Sequence, residues 1–267
     1  MAQETWLVSG EKIIDVDGVR RLKVALVAGQ INVVGHDEPT ARIEVHSVGG
    51  RELKISVDGD TLLIDHPQLS WDNFIQAFTS WRDKASAEVT VTVPRDVALK
   101  FGVVSASALV TGLSAGASIS TVSGDVVVDN VSGDLELGNV SGEISVRNHH
   151  GKITAKTISG GITMSGQIMT FIGDSVSGDV FLDIQGEPEA VKVNTISGDV
   201  TTRLEAEVAA QYRINTVSGR VQLDNSEITG LRGGYTGKYG ELDRHWLEFN
   251  AKTVSGNIAV LHEALRV

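Results

Sequence analysis

Cysteine is absent from the 267 residues, which excludes disulfides, thiolate metal sites and cysteine nucleophiles. Aromatic residues are only 5%, so any core must be built from Val, Ile, Leu and Ala. Basic residues are in deficit, with 23 Lys+Arg against 34 Asp+Glu and a net charge of −11. Such a field repels phosphate backbones and anionic lipid, so a general nucleic-acid binder or a polybasic membrane binder is not expected. No run approaches the roughly 18 apolar residues that a bilayer-spanning helix needs. The start, Met1-Ala-Gln-Glu-Thr-Trp-Leu-Val8, lacks a basic segment followed by a long apolar one. No secretory signal is therefore expected, and the chain as written reads as cytoplasmic. What is present is 41% hydrophobic residues and 29 glycines, enough for a sizeable core in one large all-β domain or two smaller ones.

The dominant feature is an internal repeat. From Val104 the chain divides into nines such as VSGDVVVDN, VSGDLELGN and VSGEISVRN. Within them Val126 and Val128, Leu135 and Leu137, and Ile144 and Val146 alternate with polar residues. Period-two alternation marks short strands with one buried face. After Val176 the nine-residue rule fails, but Val/Ile-Ser-Gly returns at Val176, Ile196, Val217 and Val254. The extra residues, about 185–190, 205–211 and 226–246, all fall in the alternate turn. The unit is therefore about 18 residues, two strands and two edges, repeated eight times. The expected fold is all-β, a β-solenoid (single-stranded β-helix or β-roll) in which each coil stacks on the one before it. An antiparallel meander would also place alternate turns on opposite edges. The solenoid is favoured because Thr121, Asn139, Thr157, Ser175, Thr195, Thr216 and Thr253 precede the turn in coil after coil. Such a column suits a ladder of side-chain hydrogen bonds between coils. Gly124, Gly142, Gly160, Gly178, Gly198, Gly219 and Gly256 are the turn glycines, expected to supply positive φ.

The first third is less regular. Residues 1–98 read as a β-rich N-terminal section and 99–267 as the solenoid, in one continuous structural unit. Val57-Asp-Gly-Asp-Thr61 has the pattern of a hairpin turn, and the alternation Glu88–Val93 stops at Pro94, as at an edge or strand end. Between them, Trp71, Phe74, Phe78 and Trp81 follow helical spacing over about 70–83, the one short helical insertion expected. Its aromatic face would either cover an open sheet edge or dock a partner or membrane interface. Tyr235 and Tyr239, in a glycine-rich loop at 233–240, allow the same two readings.

The remaining patterns yield no catalytic, cofactor or metal residues. Asp125, Glu143, Asp179 and Asp199 follow the Ser-Gly pairs and read as a solvated turn column, without the Gly-Gly-x-Gly-x-Asp turn of calcium β-rolls. His149 and His150 are adjacent on one strand and so face opposite ways, a poor geometry for chelating one metal. Val-Ser-Gly is a turn repeat and not a Gly-x-Ser-x-Gly nucleophile elbow. No pair of acids recurs on neighbouring coils as an acid/base dyad.

The stacked Thr-Val-Ser-Gly-Asp-Val-x-Val units, Gly29-Gln-Ile-Asn-Val-Val-Gly35 and the Val-Thr-Val-Pro94 strand resemble a bacterial β-strand-repeat family. It is labelled "putative adhesin" and classed as domain of unknown function 4097. Gly-Gly-Tyr-Thr-Gly-Lys-Tyr-Gly at 233–240 is similar to its actinobacterial members. The resemblance implies a β-helical, non-enzymatic protein, often linked with the cell envelope, and brings no catalytic residues. The expected function is a β-helical scaffold or protein-binding module with a protein partner or self-association. Membrane contact is expected only through a partner or the aromatic helix. A carbohydrate-active enzyme on a β-helix is the alternative.

Overall fold

The computed structural model describes residues 4–66, 85–228, 233–243 and 245–263. Every regular element among them is a β-strand, an all-β architecture for the described residues. The helix expected over 70–83, with Trp71, Phe74, Phe78 and Trp81, lies outside the described residues. The chain forms two compact units, Met1–Leu135 and Glu136–Val267, each taken by itself.

The first unit holds β1 (Glu4–Val8), β2 (Lys12–Asp17), β3 (Arg21–His36), β4 (Thr40–Gly50) and β5 (Leu53–Asp58). It continues with β6 (Thr61–Asp65), β7 (Ala85–Pro94), β8 (Ala98–Thr111), β9 (Ala117–Thr121) and β10 (Val126–Asp129). Two ladders share the long strands β3 and β8. One runs β9–β8–β3–β6 in parallel and ends in antiparallel β5 and β1. The other runs β10–β8–β3–β7 in parallel and ends in antiparallel β4 and β2. β3 turns its corner at Gly29, where φ is +117° and an added Cβ would lie 2.1 Å from the Ala87 carbonyl oxygen. Only glycine satisfies both conditions. Parallel pairing in this unit starts at Arg21, which is the register partner of both Thr61 and Ala98. The hairpin expected at 57–61 is present, with Asp58 paired to Thr61 across Gly59-Asp60. Pro94 ends β7, which has a partner on both sides and is no edge strand.

β11 (Leu135–Asn139) spans the division between the units. The second unit contains β12 (Ile144–Thr157), β13 (Ile162–Ser175), β14 (Val180–Ile184), β15 (Ala190–Asn194), β16 (Val200–Glu205) and β17 (Ala210–Thr216). β18 (Val221–Leu223), β19 (Ser226–Ile228), β20 (Gly233–Tyr239), β21 (Leu247–Thr253) and β22 (Ile258–Glu263) follow. Ile144 pairs with Ile162 and Thr157 with Ser175 in parallel, which is the 18-residue repeat made physical. The buried faces form columns: Ile153, Phe171, Val191, Phe249 and Tyr212 in one ladder, Ile162, Val180, Val200, Ile258 and Val221 in the other.

The stacking order departs from the sequence order. β15 pairs with β21 and β16 with β22, while β21 and β22 pair on their other sides with β17 and β18. The coil at 247–263 therefore lies between the coils at 190–205 and 210–223. Sequential stacking was the expectation. Every coil carries the same motif, so local pattern cannot distinguish the two orders. The glycine-rich stretch expected as a loop is strand β20, antiparallel to β17, and β19 folds antiparallel onto β18. The 226–246 insertion thus adds an antiparallel strand to each terminal parallel strand.

Candidate interaction surface

The turn that joins the two ladders is built from four residues, each with a separate task. Thr157 Oγ1 accepts from the Gly160 N–H at 3.1 Å and donates to the Gly160 carbonyl at 3.0 Å. Ser175 does the same with Gly178. Thr195, Thr216 and Thr253 accept from Gly198, Gly219 and Gly256. These hydroxyls therefore close their own turns, and the expected ladder between coils is made by a different residue. Ser159 Oγ donates to the Val140 carbonyl, Ser177 to Ile158, Ser197 to Val176, Ser255 to Ile196 and Ser218 to Val254.

The glycines also act otherwise than expected. Among Gly124, Gly142, Gly160, Gly178, Gly198, Gly219 and Gly256, only Gly142 has a φ in the left-handed range, +119°. The others are fixed by close approach: a Cβ on Gly178 would lie 2.0 Å from the Gly160 carbonyl oxygen, and one on Gly198 would lie 2.1 Å from that of Gly178. Gly256 meets Gly198, and Gly219 meets Gly256, at 2.0 Å each, which repeats the intercalated order. The carboxylates after the glycines are not merely solvated. Asp179 Oδ1 accepts the Asp199 N–H at 2.8 Å, Asp199 Oδ1 accepts the Asn257 N–H at 2.7 Å, and Asn257 Oδ1 accepts the Arg220 N–H at 3.1 Å.

With Thr turned inward, the next residue faces solvent. Ile158, Val176, Ile196, Val254 and Val217 are 51%, 43%, 52%, 47% and 72% exposed and follow one another in stacking order. Adjacent strands are about 4.8 Å apart, so the five form an apolar ridge about 19 Å long on the surface of the second unit. The sequence reading missed this ridge by treating the Val of Val-Ser-Gly only as a turn marker. The signal was available, because a residue next to an inward Thr must point outward.

Tyr235 and Tyr239 lie half-buried on β20. A Cβ on Gly237 would fall 2.7 Å from Tyr235 Cζ, so the Tyr235 ring covers that glycine. Tyr239 donates to the Ala206 carbonyl at 3.2 Å and stacks on His262 with ring centroids 3.6 Å apart. Asp224, at φ +51° in the two-residue turn between β18 and β19, accepts the His262 N–H at 2.6 Å and contacts its Nδ1 at 3.1 Å. Tyr212 is buried beside them, and burial first, then the charges of Asp224, Tyr239 and Tyr235, pushes its phenol above the ordinary tyrosine range. These contacts tie the β18–β19 turn and β20 to His262 of β22, and β20 to Ala206. The structure does not place Tyr235 and Tyr239 on the ridge.

In the first unit, Glu11, Lys12, Ile13, Glu44, Val45 and His46 line an open depression of about 550 Å³. His149 is buried and His150 exposed, with His150 Nδ1 2.8 Å from Gln167 Oε1. Among the described residues, no cluster of three or more His, Cys, Asp or Glu side chains could hold a metal. No described helix is long and apolar enough to cross a membrane.

Residues 110–189 match the Toastrack DUF4097 family model. The Toastrack match contains the Val122, Val140, Ile158 and Val176 turns, and agrees with the resemblance carried by the repeat. Among solved structures, a "putative adhesin" from Parabacteroides distasonis is similar at 12% identity, 97% coverage of both chains and a TM-score of 0.46. Another "putative adhesin", from Bacteroides fragilis, aligns at 11% identity over 94% of this chain and 97% of its own, with a TM-score of 0.45. A "putative lipid binding protein" from P. distasonis aligns at 10% identity over 97% and 96%, with a TM-score of 0.41. No curated protein matches the chain.

Proposed function

We propose that the protein is a non-enzymatic β-solenoid scaffold whose second unit binds a protein partner or another copy through the apolar ridge. The observation that carries this reading is the alignment of five exposed β-branched side chains, Ile158, Val176, Ile196, Val254 and Val217, on consecutive stacked coils. Single exposed apolar residues are ordinary on protein surfaces, but a contiguous line of them is a mark of interaction sites. The Toastrack match and the adhesin-like resemblance support an interaction role at the bacterial cell envelope, reached by the chain itself or through a partner.

The test is sedimentation velocity across a hundredfold concentration range. It compares the unaltered chain with a triple variant, Ile158→Thr, Ile196→Thr and Val254→Thr, which keeps β-branched side chains. Growth of large species that the triple variant abolishes is the expected result. Equal behaviour of the two chains, whether both assemble or both stay monomeric, removes the ridge as a self-association surface.

A further inference from the structure

The intercalated coil has the same interactions on both sides. Toward the coil at 190–205, Ser255 Oγ donates to the Ile196 carbonyl, the Asn257 N–H donates to Asp199 Oδ1, and Gly256 approaches Gly198. Toward the coil at 210–223, Ser218 Oγ donates to the Val254 carbonyl, the Arg220 N–H donates to Asn257 Oδ1, and Gly219 approaches Gly256. The same three contacts join the Val176 and Ile196 turns, where no coil intervenes. The turns at Val176, Ile196, Val254 and Val217 therefore meet through one repeated set of contacts, and repeats with one shared register are prone to exchange.

From these equivalences we propose that residues 247–263 are an exchangeable coil, and that the slot between β15/β16 and β17/β18 of one chain accepts the same coil from a second copy. The connection permits it. Residues 240–246 join β20 to β21, and seven residues reach roughly 25 Å when extended. β19 and β20 can stay on their own chain while β21 and β22 move. Beyond the two parallel ladders that flank it, the coil has side-chain ties at its far end. There the Asp224 carboxylate receives the His262 N–H and faces its ring, Tyr239 stacks on that ring, and Arg203 pairs with Glu263 at 3.0 Å. Asp224, Tyr239 and Arg203 form the latch, and exchange begins when it opens. The two modes of association are separable, because the ridge joins closed surfaces whereas exchange places one chain's strand inside the other's ladder.

The natural absence of cysteine gives a direct test with full-length protein. Lys192 and Asn250 are register partners, at a Cα separation that a disulfide can span. A chain carrying both Lys192→Cys and Asn250→Cys forms an internal disulfide, and failure to do so would remove the placement on which the proposal rests. Single variants Lys192→Cys and Asn250→Cys are then mixed under mild oxidation, beside a control mixture of Lys192→Cys and Lys252→Cys, whose positions are not partners. Both mixtures are repeated with Asp224→Gly, which suits the positive φ and removes the latch carboxylate. The 192–250 heterodimer is expected at least fivefold above the control, rising several-fold further with Asp224→Gly. Equal yields in the two mixtures, or no heterodimer in either background, overturn the proposal.

Discussion

Gly178→Ala is the sharpest probe of how the coils are held together. The new methyl carbon would lie 2.0 Å from the Gly160 carbonyl oxygen, about 1.4 Å inside ordinary contact. The obstacle is backbone, so it cannot rotate away, and the coils must part. Parting them stretches the bonds from Ser177 N and Oγ to the Ile158 carbonyl, now 2.9 and 3.2 Å. Overpacking costs about 1–3 kcal/mol and each weakened hydrogen bond about 0.5–1.5 kcal/mol. The restricted unfolded chain returns about 0.4–1 kcal/mol. A net loss of about 3 kcal/mol is expected, read as a lower urea midpoint at unchanged slope. Gly161→Ala is the control: nothing lies within 4 Å of its Cβ position and its φ is outside the left-handed range. That variant should be neutral or slightly stabilised. Equal losses for the two variants would refute the close-approach argument and return the turn to an argument from backbone conformation.

Two further perturbations follow from buried polar groups. Thr202 is fully buried with no partner for its hydroxyl, and its register neighbours are Leu182 and Val260, so Thr202→Val should raise the thermal midpoint by about 1–2 kcal/mol of added stability. His66 is fully buried and accepts the Val27 N–H at 3.3 Å, and burial lowers its pKa to about 4 from the ordinary 6.5. The unfolded chain therefore takes up this proton first, and stability should fall by about 3 kcal/mol between pH 6.5 and 4; a His66→Asn variant with the same pH dependence would show that other groups cause it.

The strands were legible because burial alternates with period two, and Val191, Tyr212 and Phe249 fall where the pattern puts them. The polar column between coils was not. A small polar residue precedes each turn and a Ser lies within it, and only coordinates distinguish the side chain that closes its own turn from the one that reaches the next coil. Coil order was hidden for a related reason: Thr253-Val-Ser-Gly256 is interchangeable with Thr216-Val-Ser-Gly219, so pattern carries no instruction to intercalate. β20 was obscured by its glycines. Tyr235, Gly237 and Tyr239 do alternate with exposed Gly234, Thr236 and Lys238, but a glycine on the inward face has no hydrophobicity to count. Its place is filled by the Tyr235 ring, which sequence alone does not reveal.

The ridge bears on function because the fold accounts for only half of it. Once Thr157, Ser175, Thr195, Thr253 and Thr216 turn inward to hold the glycine N–H groups, the following side chain must point to solvent. Extended backbone then favours β-branching there. Threonine would meet both demands while presenting a hydroxyl to water, and the chain uses Thr freely elsewhere on outward strand positions such as Thr163 and Thr201. At the five ridge positions it instead carries Ile, Val, Ile, Val and Val. Neither turn geometry nor coil stacking requires that choice, and exposed apolar area brings an aggregation liability that surfaces normally avoid. A cost incurred at five consecutive coils, on a face the fold leaves free to be polar, is best explained by a surface that is covered when the protein works.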